Sequence, residues 1–257
     1  MARSDERRLH PFLDHSGVLA FAHRGGTGDW PENTMAAFGH AVSLGYSYLE
    51  TDVHLTSDGV VVAFHDDSLD RVTDRQGLIS ELSWKEVSEA RVGGTEAVPR
   101  LVDLLGAFPD AKINIDPKDD PVVGPLASLL LDHDALDRVC IGAFSDRRLD
   151  RCRKLMGAGL CTSAGPRATA RFRLANFGLP FPMPPWRCLQ VPIRSSGIRV
   201  VDERFVRHAH RLGLQVHVWT VDDPVEMGHL LDLGVDGIMT DVPAVLRAVL
   251  VEREMWA

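Results

Sequence analysis

The length of 257 residues fits one large domain or two small ones, and 45% apolar residues is ordinary for a soluble protein with a full core. The net charge of −8 argues against broad affinity for nucleic acid or for anionic membranes. A phosphate pocket remains compatible with this charge, because a pocket can be locally positive inside an acidic protein.

The first residues, the apolar segments and the cysteines of the chain bear on its cellular location. Residues 1–8 are charged and lead into no apolar segment, so we expect no secretory signal and a cytoplasmic protein. No segment approaches the apolar length of about 20 residues that a membrane span requires. The four cysteines lack Cys-x-x-Cys spacing, which argues against a disulfide scaffold or a thiolate zinc site and favours buried free thiols. They are Cys140, Cys152, Cys161 and Cys188.

Short apolar segments alternate with amphipathic ones along most of the chain. The segments predicted as strands are 18–23, 48–53, 60–65, 112–116, 139–144, 160–163, 188–192, 215–221 and 237–240. The segments predicted as helices include 34–44, 121–131, 146–156, 202–212, 224–233 and 243–253. Alternation of this kind predicts a parallel sheet covered by helices, and at this length a closed (β/α)8 TIM barrel. Nine strand-like segments exceed eight, so we expect one to be a hairpin arm or a false strand, such as 160–163.

Two regions interrupt the alternation. Residues 67–100 are polar and rich in turns, and we expect an insertion after the third strand segment that contains one short helix at 83–90. Residues 165–187 mix arginines, aromatics and prolines, and we interpret them as an irregular loop packed by its own aromatic side chains, with a lid over a site as the alternative. No linker divides the chain, so residues 1–257 are expected to form a single domain.

Acidic side chains end two of the predicted strands. Glu50 and Asp52 are two apart, so both carboxylates project to the same face, where they repel each other unless a positive charge compensates them. A divalent cation such as Mg²⁺, Ca²⁺ or Mn²⁺ would do so. The alternative is that Glu50 pairs with an arginine or lysine and Asp52 caps a loop. Asp116 and Lys118 repeat the spacing, with Asp116 as a further oxygen ligand or as half of a structural ion pair.

Histidines end two other strand segments. Because imidazole titrates near neutral pH, His23 and His65 can carry protons in opposite directions, and Arg24 offers a fork for a phosphate oxygen. The other nine histidines are interpreted as structural. His217 is the open case, since it lies close to Trp219 on a strand near the same rim.

The same residues belong to a longer series of motifs that resembles the glycerophosphodiester phosphodiesterase family. In chain order the motifs are His23-Arg24-Gly25, Pro31-Glu32-Asn33-Thr34, Glu50-Thr51-Asp52-Val53, Thr56-Ser57-Asp58-Gly59, His65-Asp66 with Leu69 and Arg71-Val72-Thr73, Asn114-Ile115-Asp116-Pro117-Lys118, Val218-Trp219-Thr220-Val221 and Gly234 to Asp241. The likeness runs from about residue 18 to residue 246 in the family's order.

The resemblance implies a β/α barrel that hydrolyses glycerophosphodiesters to glycerol 3-phosphate and an alcohol, with one divalent cation as cofactor. It implies His23 and His65 as the acid/base pair, and Trp219 as a wall of the pocket. The implied metal ligands are Glu50, Asp52 and Asp116, and the implied phosphate-binding residues are Arg24 and Lys118. In the family picture one histidine takes the proton of the glycerol 2-hydroxyl, the other protonates the leaving alcohol, and water opens a cyclic phosphate.

One motif departs from the family pattern. The family commonly has a glutamate, an apolar residue and a lysine where this chain has Asp116-Pro117-Lys118. The aspartate reaches about one carbon–carbon bond less far, while metal–oxygen distances of about 2.0–2.6 Å leave little slack. The backbone therefore lies closer to the metal here, or a water bridges the gap, or metal affinity is lower.

Two other functions stay open. The same core in a lysophospholipase D would act on an acylated glycerophosphodiester, and a catalytically silent barrel would only bind a phosphorylated metabolite. The expected partner is in each case a small molecule, with no nucleic acid and no stable membrane insertion, and no motif indicates an oligomeric state.

Overall fold

A computed structural model describes residues 9–28, 30–175, 181–195 and 197–256. Its strands are β1 Leu19–His23, β2 Tyr48–Leu55, β3 Val61–Ala63, β4 Arg91–Val92, β5 Glu96–Ala97, β6 Lys112–Pro117, β7 Val139–Ile141, β8 Cys161–Thr162, β9 Cys188–Pro192, β10 Arg194–Ser195, β11 Ile198–Arg199, β12 Gln215–Trp219 and β13 Gly237–Thr240. Its α-helices are α1 Met35–Ser43, α2 Trp84–Ser88, α3 Leu101–Ala107, α4 Val123–Asp132, α5 Asp146–Met156, α6 Pro166–Ala175, α7 Glu203–Arg211, α8 Pro224–Asp232 and α9 Pro243–Glu252. Short 3₁₀ helices cover Pro11–Leu13, Ile79–Glu81 and Leu136–Arg138.

Eight parallel strands form the barrel, and their order around it is the order in the chain. They are β1, β2, β6, β7, β8, β9, β12 and β13, with β13 hydrogen-bonded back to β1. The barrel is nearly closed between β8 and β9, where Ser163 forms a single parallel bridge with Cys188. An α-helix follows each of the eight strands, so the predicted (β/α)8 barrel is confirmed.

One of the nine predicted strand segments lies outside the eight-stranded barrel. Residues 61–63 form β3, which pairs antiparallel with β2 through Val53 and Ala63, and is the expected hairpin arm. The suggestion that 160–163 is a false strand was wrong, because β8 pairs with β7 there and completes the barrel. This strand is only two residues long and buried on both sides, so its pattern carries little periodicity.

The insertion at 67–100 has a small core of its own against β3. Buried side chains from β3, the 3₁₀ helix, α2 and β4 form it, among them Val62, Leu69, Ile79, Val87 and Val92. The predicted short helix is α2, which Ser83 caps in a reciprocal capping box with Glu86. This segment therefore has packed structure and lies beside the barrel mouth that carries His65.

Residues 165–187 were predicted to lack regular structure, and this was wrong for the first half. Helix α6 forms there because Asp146 of α5 accepts hydrogen bonds from the backbone N–H groups of Arg167 and Ala168 at its first turn. That cap comes from a different helix, so no local sequence pattern contains it. The predicted aromatic packing is present, since Phe172 contacts Phe181 and Trp186 at ring-centroid distances of 5.3 and 6.0 Å. Phe177, also part of that interpretation, lies outside the described residues.

Within the described residues, no helix combines the length and apolar character that crossing a bilayer demands. Residues 1–8, which the expectation of no secretory signal concerned, lie outside the described residues.

Candidate active site

The carboxyl ends of the barrel strands surround a cavity of about 810 Å³. In a parallel barrel these ends all open to one face, which is where loops can build a site on a rigid frame. All eight residues singled out in the sequence line this cavity: His23, Arg24, Glu50, Asp52, His65, Asp116, Lys118 and Trp219. The tertiary structure therefore brings together side chains that are up to 196 positions apart in the chain.

His23 ends β1 and is held by an acid from the neighbouring strand. Its Nδ1 lies 2.7 Å from Oδ1 of Asp241, the residue after β13, and because a carboxylate only accepts, the ring donates through Nδ1. Nε2 lies 3.7 Å from Oε2 of Glu50. Although burial works against the charged ring, Glu50 and the hydrogen bond to Asp241 raise the pKa of His23 above its ordinary value. Asp241 thereby fixes the ring orientation and leaves Nε2 for proton exchange.

His65 also lines the cavity and has the same kind of partner. Its Nδ1 lies 2.5 Å from Oδ1 of Asp66, and Arg71 donates to both oxygens of that carboxylate. The hydrogen bonds from Arg71 lower the pKa of Asp66 to about 2, so this acid stays ionised beside the imidazole. The backbone carbonyl of His65 also accepts a hydrogen bond from His54 Nε2, which supports the loop. Both candidate proton carriers thus have an oriented ring.

Three buried acids lie between the histidines. Glu50 and Asp52 come from β2, and Asp116 is the register partner of Asp52 on β6. Burial and the charge of Asp52 raise the pKa of Glu50 to about 7. Lys118 Nζ lies 2.6 Å from Asp52 and 2.9 Å from Asp116, so a basic side chain compensates two of the acids in this structure. The contact between Lys118 and Asp116 is the structural ion pair that their spacing had left open, whereas the basic partner considered for Glu50 lies instead on Asp52.

Arg24 connects the acids to the loop after β1. It adopts a left-handed backbone conformation (φ 54°), with its backbone N–H donating to Glu50 Oε2 at 3.1 Å. Its Nε lies 3.1 Å from Asp52, and its Nη1 donates to Glu32 at 3.2 Å. Asn33, also left-handed (φ 56°), donates from its amide to Asp52 at 3.2 Å. The cationic group is therefore held at the cavity wall with part of its donor set engaged.

The donor set suits a hard divalent cation. Oδ1 of Asp116 is buried and accepts no hydrogen bond, an unfavourable state for a carboxylate oxygen without a cation or donor. Glu50 has only a backbone N–H and the His23 ring close to its carboxylate, so it too has free coordination capacity. Oxygen ligands from Glu50, Asp52 and Asp116 are those that Mg²⁺, Ca²⁺ and Mn²⁺ prefer.

The cavity floor is polar and the opposite wall is apolar. On the floor, Gln190 donates to Asn114 at 2.7 Å, and its amide also lies 3.5 Å from His217 Nδ1. On the wall, Trp219 and Phe144 stack edge to face at 5.4 Å, with Phe144 67% exposed. His217, which the sequence left as the open case among the histidines, is fully buried inside the barrel and is a core residue.

The sequence analysis gave no role to three acids that the structure places at the site. Asp241 and Asp66 orient the two histidines, and Glu32 accepts hydrogen bonds from both Arg24 and Arg71. All three lie within motifs that carried the family resemblance. The adjacency of His65 and Asp66 was a usable signal, whereas the pairing of His23 with Asp241 required barrel closure.

Comparison with known proteins agrees with this geometry. The model of the family described as "Glycerophosphoryl diester phosphodiesterase family" matches residues 23–245. A Mycobacterium tuberculosis protein named "Probable glycerophosphodiester phosphodiesterase 2" is 41% identical, with 95% of each chain covered. A lysophospholipase D of Homo sapiens is 30% identical over 88% of this chain and 84% of its own.

Solved structures share the fold. A glycerophosphoryl diester phosphodiesterase structure from Silicibacter pomeroyi superposes with a TM-score of 0.80 at 24% identity, covering 96% of this chain and 98% of its own. An Oleispira antarctica phosphodiesterase in complex with sn-glycerol-3-phosphate superposes with a TM-score of 0.76 at 22% identity, covering 91% and 97%. Since the family model matches residues 23–245 and a relative is 41% identical over 95% of each chain, the chain belongs to the glycerophosphoryl diester phosphodiesterase family.

Proposed function

We propose that this protein hydrolyses glycerophosphodiesters to glycerol 3-phosphate and an alcohol, using a divalent cation and the histidine pair His23 and His65. The observation that carries the proposal is the arrangement of two imidazoles, each oriented by its own carboxylate, around a cavity that is also lined by three acids and by the cationic side chains of Arg24 and Lys118. Family membership and the relatives named for this activity support it.

The chain's own residues account for binding and proton transfer. Arg24 and Lys118 would bind the phosphate oxygens, and their positive charges offset the negative charge that grows on the phosphoryl group. One imidazole removes the proton of the attacking hydroxyl through Nε2, and the other protonates the departing alcohol. Asp241 and Asp66 stabilise each ring when it carries a proton, as the acid does in a serine protease triad.

The cation would be held by Glu50, Asp52 and Asp116. When bound, it supplies Lewis-acid polarisation of a phosphate oxygen and increases the acidity of a coordinated hydroxyl group. The unpartnered Asp116 oxygen and the raised pKa of Glu50 both indicate a site that is short of positive charge.

The test is turnover of glycerophosphocholine by the purified chain, followed as release of glycerol 3-phosphate. We expect activity that a chelator abolishes and that Mg²⁺, Ca²⁺ or Mn²⁺ restores. His23→Ala and His65→Ala should each lose about 10²–10⁴-fold in kcat. His133→Ala is the matched control, since His133 is an exposed residue that ends α4. Full activity in His23→Ala would refute the catalytic assignment, and a chain that binds phosphate without turnover would be the silent barrel.

A lysophospholipase D activity is the second candidate, favoured by the apolar wall. Trp219, Phe144 and Ile198 line the cavity, and Phe144 and Ile198 are 67% and 68% exposed, which suits an acyl chain better than a small polar alcohol. Lysophosphatidylcholine should then be turned over faster than glycerophosphocholine, and Phe144→Ser should reduce only the former rate. If Phe144→Ser lost turnover equally for both substrates, the apolar wall would no longer support a lysophospholipase D activity.

A further inference from the structure

Three of the four cysteines converge inside the barrel, although they are 21 to 48 positions apart in the chain. Cys140, Cys161 and Cys188 come from the neighbouring strands β7, β8 and β9, and Cys140 is the register partner of Cys161. Each lies two residues before a residue that lines the catalytic cavity, namely Gly142, Ser163 and Gln190. The three thiols therefore occupy the interior layer below the cavity floor, toward the amino ends of the strands.

The spacing of the sulfur atoms matches a metal–thiolate centre. The three Sγ atoms all lie within 4.8 Å of one another, and those of Cys140 and Cys188 are 3.9 Å apart. A disulfide requires about 2.05 Å. An ion bound at the usual metal–sulfur distance of about 2.3 Å holds its sulfur ligands about 3.8–4.0 Å apart, in tetrahedral or trigonal geometry. The observed sulfur pair thus already has the separation that shared coordination needs.

The surroundings select a soft ion of low coordination number. All three cysteines are fully buried, and the side chains around them are apolar or aromatic, including Phe12, Leu19, Phe21 and Met239. In the described part of the chain, no histidine or carboxylate joins the three sulfurs as a fourth ligand. Structural Zn²⁺ takes four ligands and hard ions prefer oxygen, whereas thiolates select Cu(I), which accepts three.

Binding at this site should depend on pH. A cysteine binds a metal as the thiolate and must lose its proton to do so, and affinity should therefore increase with pH.

We propose that Cys140, Cys161 and Cys188 form a binding site for one Cu(I) ion, separate from the catalytic cavity. Binding replaces thiol protons by the ion and involves no change in oxidation state. The 3₁₀ helix Pro11–Leu13 covers this end of the barrel, and the carbonyl of Phe12 accepts a hydrogen bond from Tyr48 at 2.7 Å. Metal entry therefore requires this segment to open, and we expect slow binding.

The test is competition for Cu(I) between the reduced full-length chain and a chromophoric Cu(I) chelator, in the absence of oxygen. The absorbance of the chelator complex is read once it has stopped changing, because binding to the chain is expected to be slow. We expect the chain to withdraw one equivalent of Cu(I), and to do so more tightly at pH 8 than at pH 6. Cys161→Ser and Cys188→Ala should each weaken affinity by at least about 100-fold, since each removes a ligand. Cys152→Ser is the matched control, because Cys152 is also buried but lies on α5 outside the cluster.

Turnover of glycerophosphocholine by a variant shows that this variant is folded. If either Cys161→Ser or Cys188→Ala is misfolded, the affinity of the other variant provides the test. A wild-type chain that withdraws no Cu(I) would overturn the proposal. The same follows if Cys152→Ser loses as much affinity as Cys161→Ser, because binding would then be nonspecific thiol chemistry.

Discussion

At the scale of single residues, the candidate site depends on acids that hold other side chains in place. Asp241 and Asp66 orient the imidazoles of His23 and His65, and Glu32 joins Arg24 to Arg71. Each accepts hydrogen bonds from these neighbours, so replacing its carboxylate changes the geometry of the side chain that it holds.

Asp241→Asn tests the positioning of His23. The amide is nearly isosteric but offers an N–H as well as a carbonyl, so the ring can turn or take the wrong tautomer. In a serine protease the equivalent change costs about 10⁴-fold in kcat, and we expect a loss of about 10²–10⁴-fold here with KM little changed. Steady-state kinetics across pH is the measurement, because loss of the carboxylate also lowers the pKa of His23. Asp232→Asn, an exposed acid paired with Arg253, is the control.

His217→Gln tests a pH effect on stability. Burial lowers the pKa of His217 to about 3, so the folded state keeps it neutral while the unfolded chain titrates near 6.5. The unfolded state binds the extra proton between those values, and wild-type stability therefore falls as pH drops below 6.5, by up to about 1.4 kcal/mol per pH unit from this residue. Urea unfolding from pH 7 to pH 4 should show a shallower fall in the variant. Parallel curves would contradict the assignment.

At the scale of elements, the loop from β1 to α1 determines where Arg24 and Asn33 point. Gly25 follows Arg24 in a left-handed conformation (φ 82°), and a Cβ built on it would lie 2.8 Å from both the backbone N of Phe38 and the Cβ of Ala37. Helix α1 thus packs directly against the loop that carries Arg24. A residue with a side chain would push the two apart.

Gly25→Ala should therefore lower both stability and turnover. Gly59→Ala is a matched control, because Gly59 has a similar φ of 88° but has no atom within 4 Å of an added Cβ. Gly59→Ala should lower the free energy of unfolding by about 1–2 kcal/mol, because only the backbone conformation is unfavourable for alanine. Gly25→Ala should lower it by about 1–3 kcal/mol more, because the added Cβ also clashes with α1. Denaturant unfolding measures both. Equal losses would show that the helix contact is unimportant.

At the scale of the whole molecule, the proposed metal site would link cation binding to the stability of the barrel. Glu50, Asp52 and Asp116 come from two neighbouring strands, and bringing them together costs free energy that a cation would offset. A ligand bound only by the folded state raises the free energy of unfolding by about 2.7 kcal/mol at 100 times its Kd.

Thermal unfolding with and without Mg²⁺, Ca²⁺ or Mn²⁺ tests this link. At such an excess we expect the wild-type Tm to rise by about 5–10 °C, and Glu50→Gln to lose that rise. Glu203→Gln, an exposed glutamate paired with Arg207, should keep it. A Tm increase of the same size in Glu50→Gln would place the stabilising ion elsewhere.

Local pattern was sufficient for most of the elements. Alternating strands and helices predicted the barrel, because the period of apolar residues and the capping residues are properties of neighbouring positions. Ordered motifs at strand ends predicted His23, Glu50, Asp52 and Asp116 at one rim, since parallel strands present their carboxyl ends on one face. His65 lies at the same cavity although it follows β3, which is antiparallel to β2.

Tertiary structure alone determined which partner each of these residues has. Asp241 reaches His23 only because β13 closes onto β1, α6 forms only because Asp146 of α5 caps it, and three cysteines meet only because β7, β8 and β9 are adjacent. Whether Asp52 is compensated by Lys118 was likewise undetermined by spacing. Contacts between distant segments depend on the register and curvature of the whole sheet, which no local window of the chain contains.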